Sequence, residues 1–150
     1  MTTIQSTAAA HPTTSRVAAT GAAVGVVAAT LTVLFAHGWG EALSMVALIA
    51  ATTVVVYGML VPRGLQRGGA PNIALTLAVI AALVAVPAFW TGLPLVLGVA
   101  AVILGSAGRT ARTGAGRSIG ALVLGALASL FYLSIYVMEA FAGNTGFLLS

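Results

Sequence analysis

Long apolar stretches separated by short polar breaks make up most of this chain. The first, Val17 to Ala36, carries no charge. At a helical rise of ~1.5 Å per residue it reaches about 30 Å, the depth of a bilayer's hydrocarbon core. The segment His37-Gly38-Trp39-Gly40-Glu41 follows, and its two glycines around a tryptophan predict an interfacial turn. A second run spans Ala42 to Val61 and is expected to stop at Pro62, before a loop from Arg63 to Pro71. The third, Ile73 to Trp90, contains Pro87, which cannot bond the Leu83 carbonyl and predicts a kink. After a turn at Thr91-Gly92-Leu93-Pro94, with Pro94 tolerated in a first helical turn, comes a short fourth run, Leu93 to Ala107. A loop from Gly108 to Ser118 leads to the last run, Ile119 to Met138.

The pattern predicts an all-α integral membrane bundle of about five transmembrane helices. Residues 1–16, rich in Thr, Ser and Ala, read as a disordered cytoplasmic tail. Residues 17–141 read as one transmembrane domain and 142–150 as a short outer tail. The first run exceeds the usual apolar length of a signal peptide and no clean A-x-A site follows it, so it is expected to be retained. Its cleavage would leave four helices in the same orientation.

Composition sharpens this picture. Of 150 residues, 60% are hydrophobic and 5% charged, against roughly 25% charged in soluble domains. Six basic and two acidic residues cannot cover a water-exposed surface, so lipid must be the solvent. If all five runs span, Arg16, Arg63, Arg67, Arg109, Arg112 and Arg117 fall on one side. His37, Trp39, Glu41, Trp90 and Glu139 fall on the other. The arginine bias of short loops then places the amino terminus inside and the carboxy terminus outside. Arginines at the ends of apolar runs set orientation and meet anionic lipid headgroups; they do not form a nucleic-acid-binding face.

Small residues recur four apart on three helices. Gly21, Gly25 and Ala29 form one stripe, Ala74, Ala78 and Ala82 a second, and Ala121, Gly125 and Ser129 a third. Such stripes let backbones approach closely, either within one chain or between copies, and packing within the chain is the expectation here. A weak repeat relates residues 63–83 to 109–130, as if hairpins 42–90 and 93–139 were tandem copies.

Candidate chemistry is sparse. The loop Thr113-Gly114-Ala115-Gly116-Arg117-Ser118 lacks the lysine, the first glycine (the position is Ala111) and the preceding strand of a phosphate-binding loop. His37, Glu41 and Glu139 are the ionisable residues of the outer side, and imidazole with carboxylates is a reasonable ligand set. Each is nonetheless expected to sit solvated at a helix end, with Gly38 and Gly40 opposing a rigid His37–Glu41 pair. No charged residue lies mid-run, where ion-coupled transporters place them; the polar groups there are Thr52, Thr53, Thr76 and Ser134. No catalytic set, metal centre or cofactor site can be assembled, and cysteine is absent.

Residues 93–138 read Leu-Pro-Leu-Val-Leu-Gly-Val-Ala-Ala-Val-Ile-Leu-Gly, an arginine- and glycine-rich loop, then Ile-Gly-Ala-Leu-Val-Leu-Gly-Ala-Leu. This resembles small actinobacterial multi-pass membrane proteins of unknown function with a Leu-Gly-x-x-Ala-x-x-x-Gly helical hairpin. The resemblance implies a helical hairpin in a bacterial plasma membrane and carries no activity. The leading functional expectation is a non-enzymatic accessory or scaffold subunit, packing its small-residue stripes against a membrane-protein partner or another copy. A permease or channel subunit, oligomeric around a pore lined by Thr and Ser, is the alternative. A sensor acting through His37 and Glu139 ranks behind both.

Overall fold

The computed structural model describes residues 14–67, 70–109 and 113–143. The described residues form five helices and no strand. Helix α1 is Thr14–Phe35 and α2 is Trp39–Gln66, continuous through a π turn at Val56–Leu60. Helix α3 is Pro71–Ala85, α4 is Leu93–Gly108 and α5 is Ala115–Phe141, with a 3-10 turn, Phe89–Thr91, before α4. Helices α1, α2 and α5 are long and apolar enough to cross a membrane, whereas α3 and α4 are shorter apolar helices.

Burial follows the logic of a bundle dissolved in lipid. Large apolar side chains point outward, among them Val26, Leu43, Val54, Leu83, Leu127, Leu130 and Met138. Water would penalise such a surface; a bilayer does not. The interior is built largely from smaller residues, including Ala28, Ala74, Ala78, Ala81, Ala100, Ala101 and Ala121, with Tyr132, Ile49 and Leu104 the largest of its fully buried side chains. Helix α4 lies at the centre. It packs closely with α3 and α5, which also pack on each other, and touches α1 and α2 on its other side.

Close backbone approach explains that tight cluster. A Cβ on Gly125 would lie 2.6 Å from the Gly98 carbonyl oxygen and 2.9 Å from the Ala101 Cβ; one on Gly105 would lie 2.6 Å from the Ser118 carbonyl oxygen. Without lipid-specific driving forces between apolar helices, this intimacy supplies the dispersion contacts that hold them. Across α1 and α2, Gly21 accommodates the Tyr57 ring and Gly25 faces Thr53. The stripes Gly21/Gly25 and Ala121/Gly125/Ser129 are therefore occupied inside the chain. On α3 the buried face runs Ala74, Ala78, Ala81 and Ala85, drifting off the strict spacing of four so that Ala82 is only half-buried.

Several boundaries differ from the sequence expectations. Helix α1 begins at Thr14, so Ser15 and Arg16 are helical rather than part of the tail. Helix α2 starts at Trp39 and passes through Pro62 to Gln66. Proline lacks an N–H and crowds the preceding turn, and the π turn ending at Leu60, with Val61 N–H reaching the Val56 carbonyl, widens the helix just before it. Pro87 does the opposite: α3 ends at Ala85 instead of kinking onward to Trp90. The tandem repeat is not reflected in packing, because α4 and α5 form the most extensive contact while α2 and α3 barely meet. Residues 1–13, Arg112, Ala111 and 144–150 lie outside the described residues.

Each helix runs against its predecessor. Gly64 abuts Leu104, Gly114 abuts Pro71 and Gly21 abuts Tyr57, which brings Arg16, Arg63, Arg67, Arg109 and Arg117 to one end of the bundle. At that end Arg117 donates to Asn72 Oδ1 at 2.9 Å, tying the start of α5 to the start of α3.

Candidate functional site

The opposite end is not flat. Gly92, at the start of α4 with φ of 72°, lies so close to α1 and α2 that a Cβ there would come within 2.8 Å of Ile49 Cδ1 and 3.2 Å of the Ala28 Cβ. Both the left-handed backbone and the lack of space call for glycine. This turn thus sits at the level of Ala28 and Ile49, while α1 continues to Phe35 and α2 begins only at Trp39. At ~1.5 Å per residue, α1 rises about 10 Å beyond the turn. Helix α5 likewise continues past Ser129, beside Gly98, to Phe141. The short α3–α4 connection between taller neighbours leaves a recess.

That recess is a partly open cavity of about 550 Å³. Thr32, Phe35, Ala36 and His37 line it from α1 and its end, Glu41 from α2, Phe89 and Trp90 from the 3-10 turn, and Ile135, Tyr136 and Glu139 from α5. Phe35 and Tyr136 meet edge to face with ring centroids 5.1 Å apart, and Phe89 and Trp90 meet similarly at 5.2 Å. The Thr32 hydroxyl donates to the Trp90 carbonyl at 3.5 Å, linking α1 to the 3-10 turn. One turn deeper on α5, the Tyr132 ring lies tilted at 53° to that of Tyr136 with centroids 4.8 Å apart, its hydroxyl buried.

His37, Glu41 and Glu139, expected to be separate and solvated, all line this one cavity. The expectation that glycines prevent a His37–Glu41 pair is overturned. Glu41 lies in the first turn of α2 and its Oε2 accepts the His37 backbone N–H at 3.0 Å, with His37 Nδ1 3.7 Å away. A carboxylate at this position suits the orphan N–H groups and positive end of a helix amino terminus, and the fold needs Gly38 and Gly40 only as spacers. The imidazole is 89% exposed and forms the rim. Among the described residues, no three His, Cys, Asp or Glu side chains are grouped to hold a metal ion.

The mid-helix hydroxyls do not converge. Thr76 and Ser134 lie on exposed faces, and Ser134 donates to its own helix at the Phe131 carbonyl. Thr53 Oγ1 is buried between α1 and α2 without a partner. Below the cavity, Ile49, Tyr57, Val96 and Leu104 fill the interior, and the Tyr57 hydroxyl donates to the Val96 carbonyl at 3.1 Å. Loop residues 113–118 build no phosphate cradle: Gly114 abuts Pro71, Ser118 is buried in the helix and Arg117 is committed to Asn72.

Sequence reasoning missed the aromatic walls. Their one available signal was the spacing of Tyr132, Tyr136 and Glu139, which places both phenols and the carboxylate on neighbouring turns of one helix face. No protein-family model, characterised protein or solved structure matches this chain.

Proposed function

We propose that the chain is a non-enzymatic, multi-pass accessory subunit of a bacterial plasma membrane, with five spans and its arginine end in the cytoplasm. The observation that carries this reading is the predominantly apolar packing beneath the cavity, where Ile49, Tyr57, Val96 and Leu104 are buried among the described residues. A protein that conducts or transports needs a path between the two ends and marks it with polar or ionisable groups. The arginine end supports the orientation, since short cytoplasmic loops carry the basic excess and meet anionic headgroups.

The contact surface for a partner differs from the one expected. With the glycine stripes occupied internally, the outward face of α1, where Ala18, Ala19, Ala22 and Ala23 are exposed, offers small residues to a neighbouring helix. The permease reading requires several copies, because five helices with so few polar residues enclose little water.

Extraction of the tagged protein from native membranes in mild detergent, followed by mass spectrometry, tests this. A stoichiometric partner, lost when Ala19 and Ala22 are both replaced by Leu, is the expected result. A homogeneous homo-oligomer without any partner would overturn the accessory reading and make ion or solute flux in liposomes the next measurement.

A further inference from the structure

We propose that the cavity is a binding site for an organic ammonium group, a monovalent amine or quaternary ammonium carried on an apolar body. The case begins with charge. The whole chain has two acidic side chains, and both Glu41 and Glu139 line this cavity. Every described arginine lies at the other end of the bundle. The recess therefore gathers both carboxylates of the chain at the end away from every described arginine, with the His37 imidazole at its rim. The two carboxylates reach the recess from different helices. Glu41 is held by the His37 N–H, which fixes its position at the mouth, and Glu139 approaches from α5.

Size and walls narrow the class. A volume of about 550 Å³ lies within the roughly 300–1,000 Å³ of small-molecule sites. A divalent cation held by imidazole and carboxylates needs those ligands grouped around one point, and no such group of three His, Cys, Asp or Glu exists among the described residues. The remaining walls are aromatic: Phe35, Phe89, Trp90 and Tyr136. Ring faces attract a weakly hydrated organic cation, and in a recess bordered by low-dielectric helices that attraction and the carboxylate field are both strengthened. The same aromatic surfaces bury the ligand's apolar body.

The ammonium could be a free organic cation or the headgroup of a membrane lipid, since the recess opens at the end of the bundle where headgroups lie. The site itself does not depend on the presence of a protein partner.

The test uses the full chain in phosphatidylglycerol nanodiscs, titrated with benzyltrimethylammonium while Trp fluorescence is read. Saturable quenching is expected, with affinity weakened at least tenfold by Glu139→Gln and no saturation by neopentylbenzene, the neutral isostere. Glu41→Gln should weaken binding similarly. Because Glu41 also holds the start of α2, its variant counts only if it remains monodisperse and melts like the parent; Glu139→Gln carries the test otherwise. Absence of saturable binding, equal binding of the neutral isostere, or unchanged affinity in Glu139→Gln would overturn the proposal. Repeating the titration in nanodiscs containing phosphatidylethanolamine separates the sources. Loss of benzyltrimethylammonium binding there identifies the lipid headgroup as occupant, and unchanged affinity identifies a free cation.

Discussion

At the scale of single residues, glycines on one helix have opposite duties. Gly125 faces the Gly98 carbonyl at a distance no Cβ tolerates, whereas a Cβ on Gly120 would meet only Leu75 Cδ1 at 4.0 Å. Gly125→Ala should therefore cost about 1–3 kcal/mol through overpacking against backbone. Gly120→Ala should be neutral or stabilise by up to about 1 kcal/mol, because alanine orders the helix more cheaply than glycine. Unfolding of both variants by denaturing detergent, followed by circular dichroism, reads the difference; equal effects would contradict the α4–α5 packing. The sequence shows a stripe at Ala121, Gly125 and Ser129, but whether it faces α4 or a second chain is a tertiary fact. Glu41 illustrates the same limit. An acidic residue three positions after a potential helix start is a readable cap signal, yet the flanking glycines read more strongly as a turn. The helix in fact begins at Trp39.

At the scale of helices, the apolar runs were legible because a bilayer demands length and hydrophobicity from every spanning segment. Proline behaviour was not. Pro62 and Pro87 look alike in sequence, but one lies inside a continuous helix behind a π turn and the other follows a helix end. What separates them is the neighbour. Helix α2 is held on either side of Pro62 by Tyr57 against α4 and by Gly64 against Leu104. Beyond Ala85 the chain must instead turn back within a few residues to start α4. The Tyr57 hydroxyl bond to Val96 is the polar link between α2 and α4 in this stretch, and Tyr57→Phe should lower stability by about 0.5–1.5 kcal/mol. The loss should appear in the unfolding midpoint without a change in helix content. A variant as stable as the parent would show that the link is replaceable by packing.

At the scale of the whole molecule, charge is sorted along the bundle axis, with described arginines at one end and carboxylates at the other. The sorting was readable because short loops force each charge to the end of its own helix. The cavity was not readable, since it arises from the relative heights of five helices and no single segment encodes that. Orientation has a direct test, because the chain contains no cysteine and both Gly38 and Gly116 have open space where a side chain would go. A membrane-impermeant maleimide should label Gly38→Cys in intact cells and Gly116→Cys only after permeabilisation. The reverse pattern would invert the assignment.

Unequal helix lengths have one more consequence, for the lipid itself. Helix α4 is sheathed by its neighbours, but the exposed Val79, Ile80 and Leu83 of α3 would meet acyl chains in the proposed five-span arrangement. Its Pro71–Ala85 span amounts to about 22 Å of rise, several ångströms short of the hydrocarbon slab, while α2 and α5 exceed it and must lean. In that arrangement lipids on the α3 flank would be drawn inward and those on the far flanks stretched, at a fraction of a kcal/mol per ångström of mismatch. Five spans of such unequal length would give the protein a lopsided collar. It should melt at a higher temperature in bilayers of short-chain lipids than in long-chain ones, and within one membrane it should drift toward other proteins that pinch the bilayer on the same side.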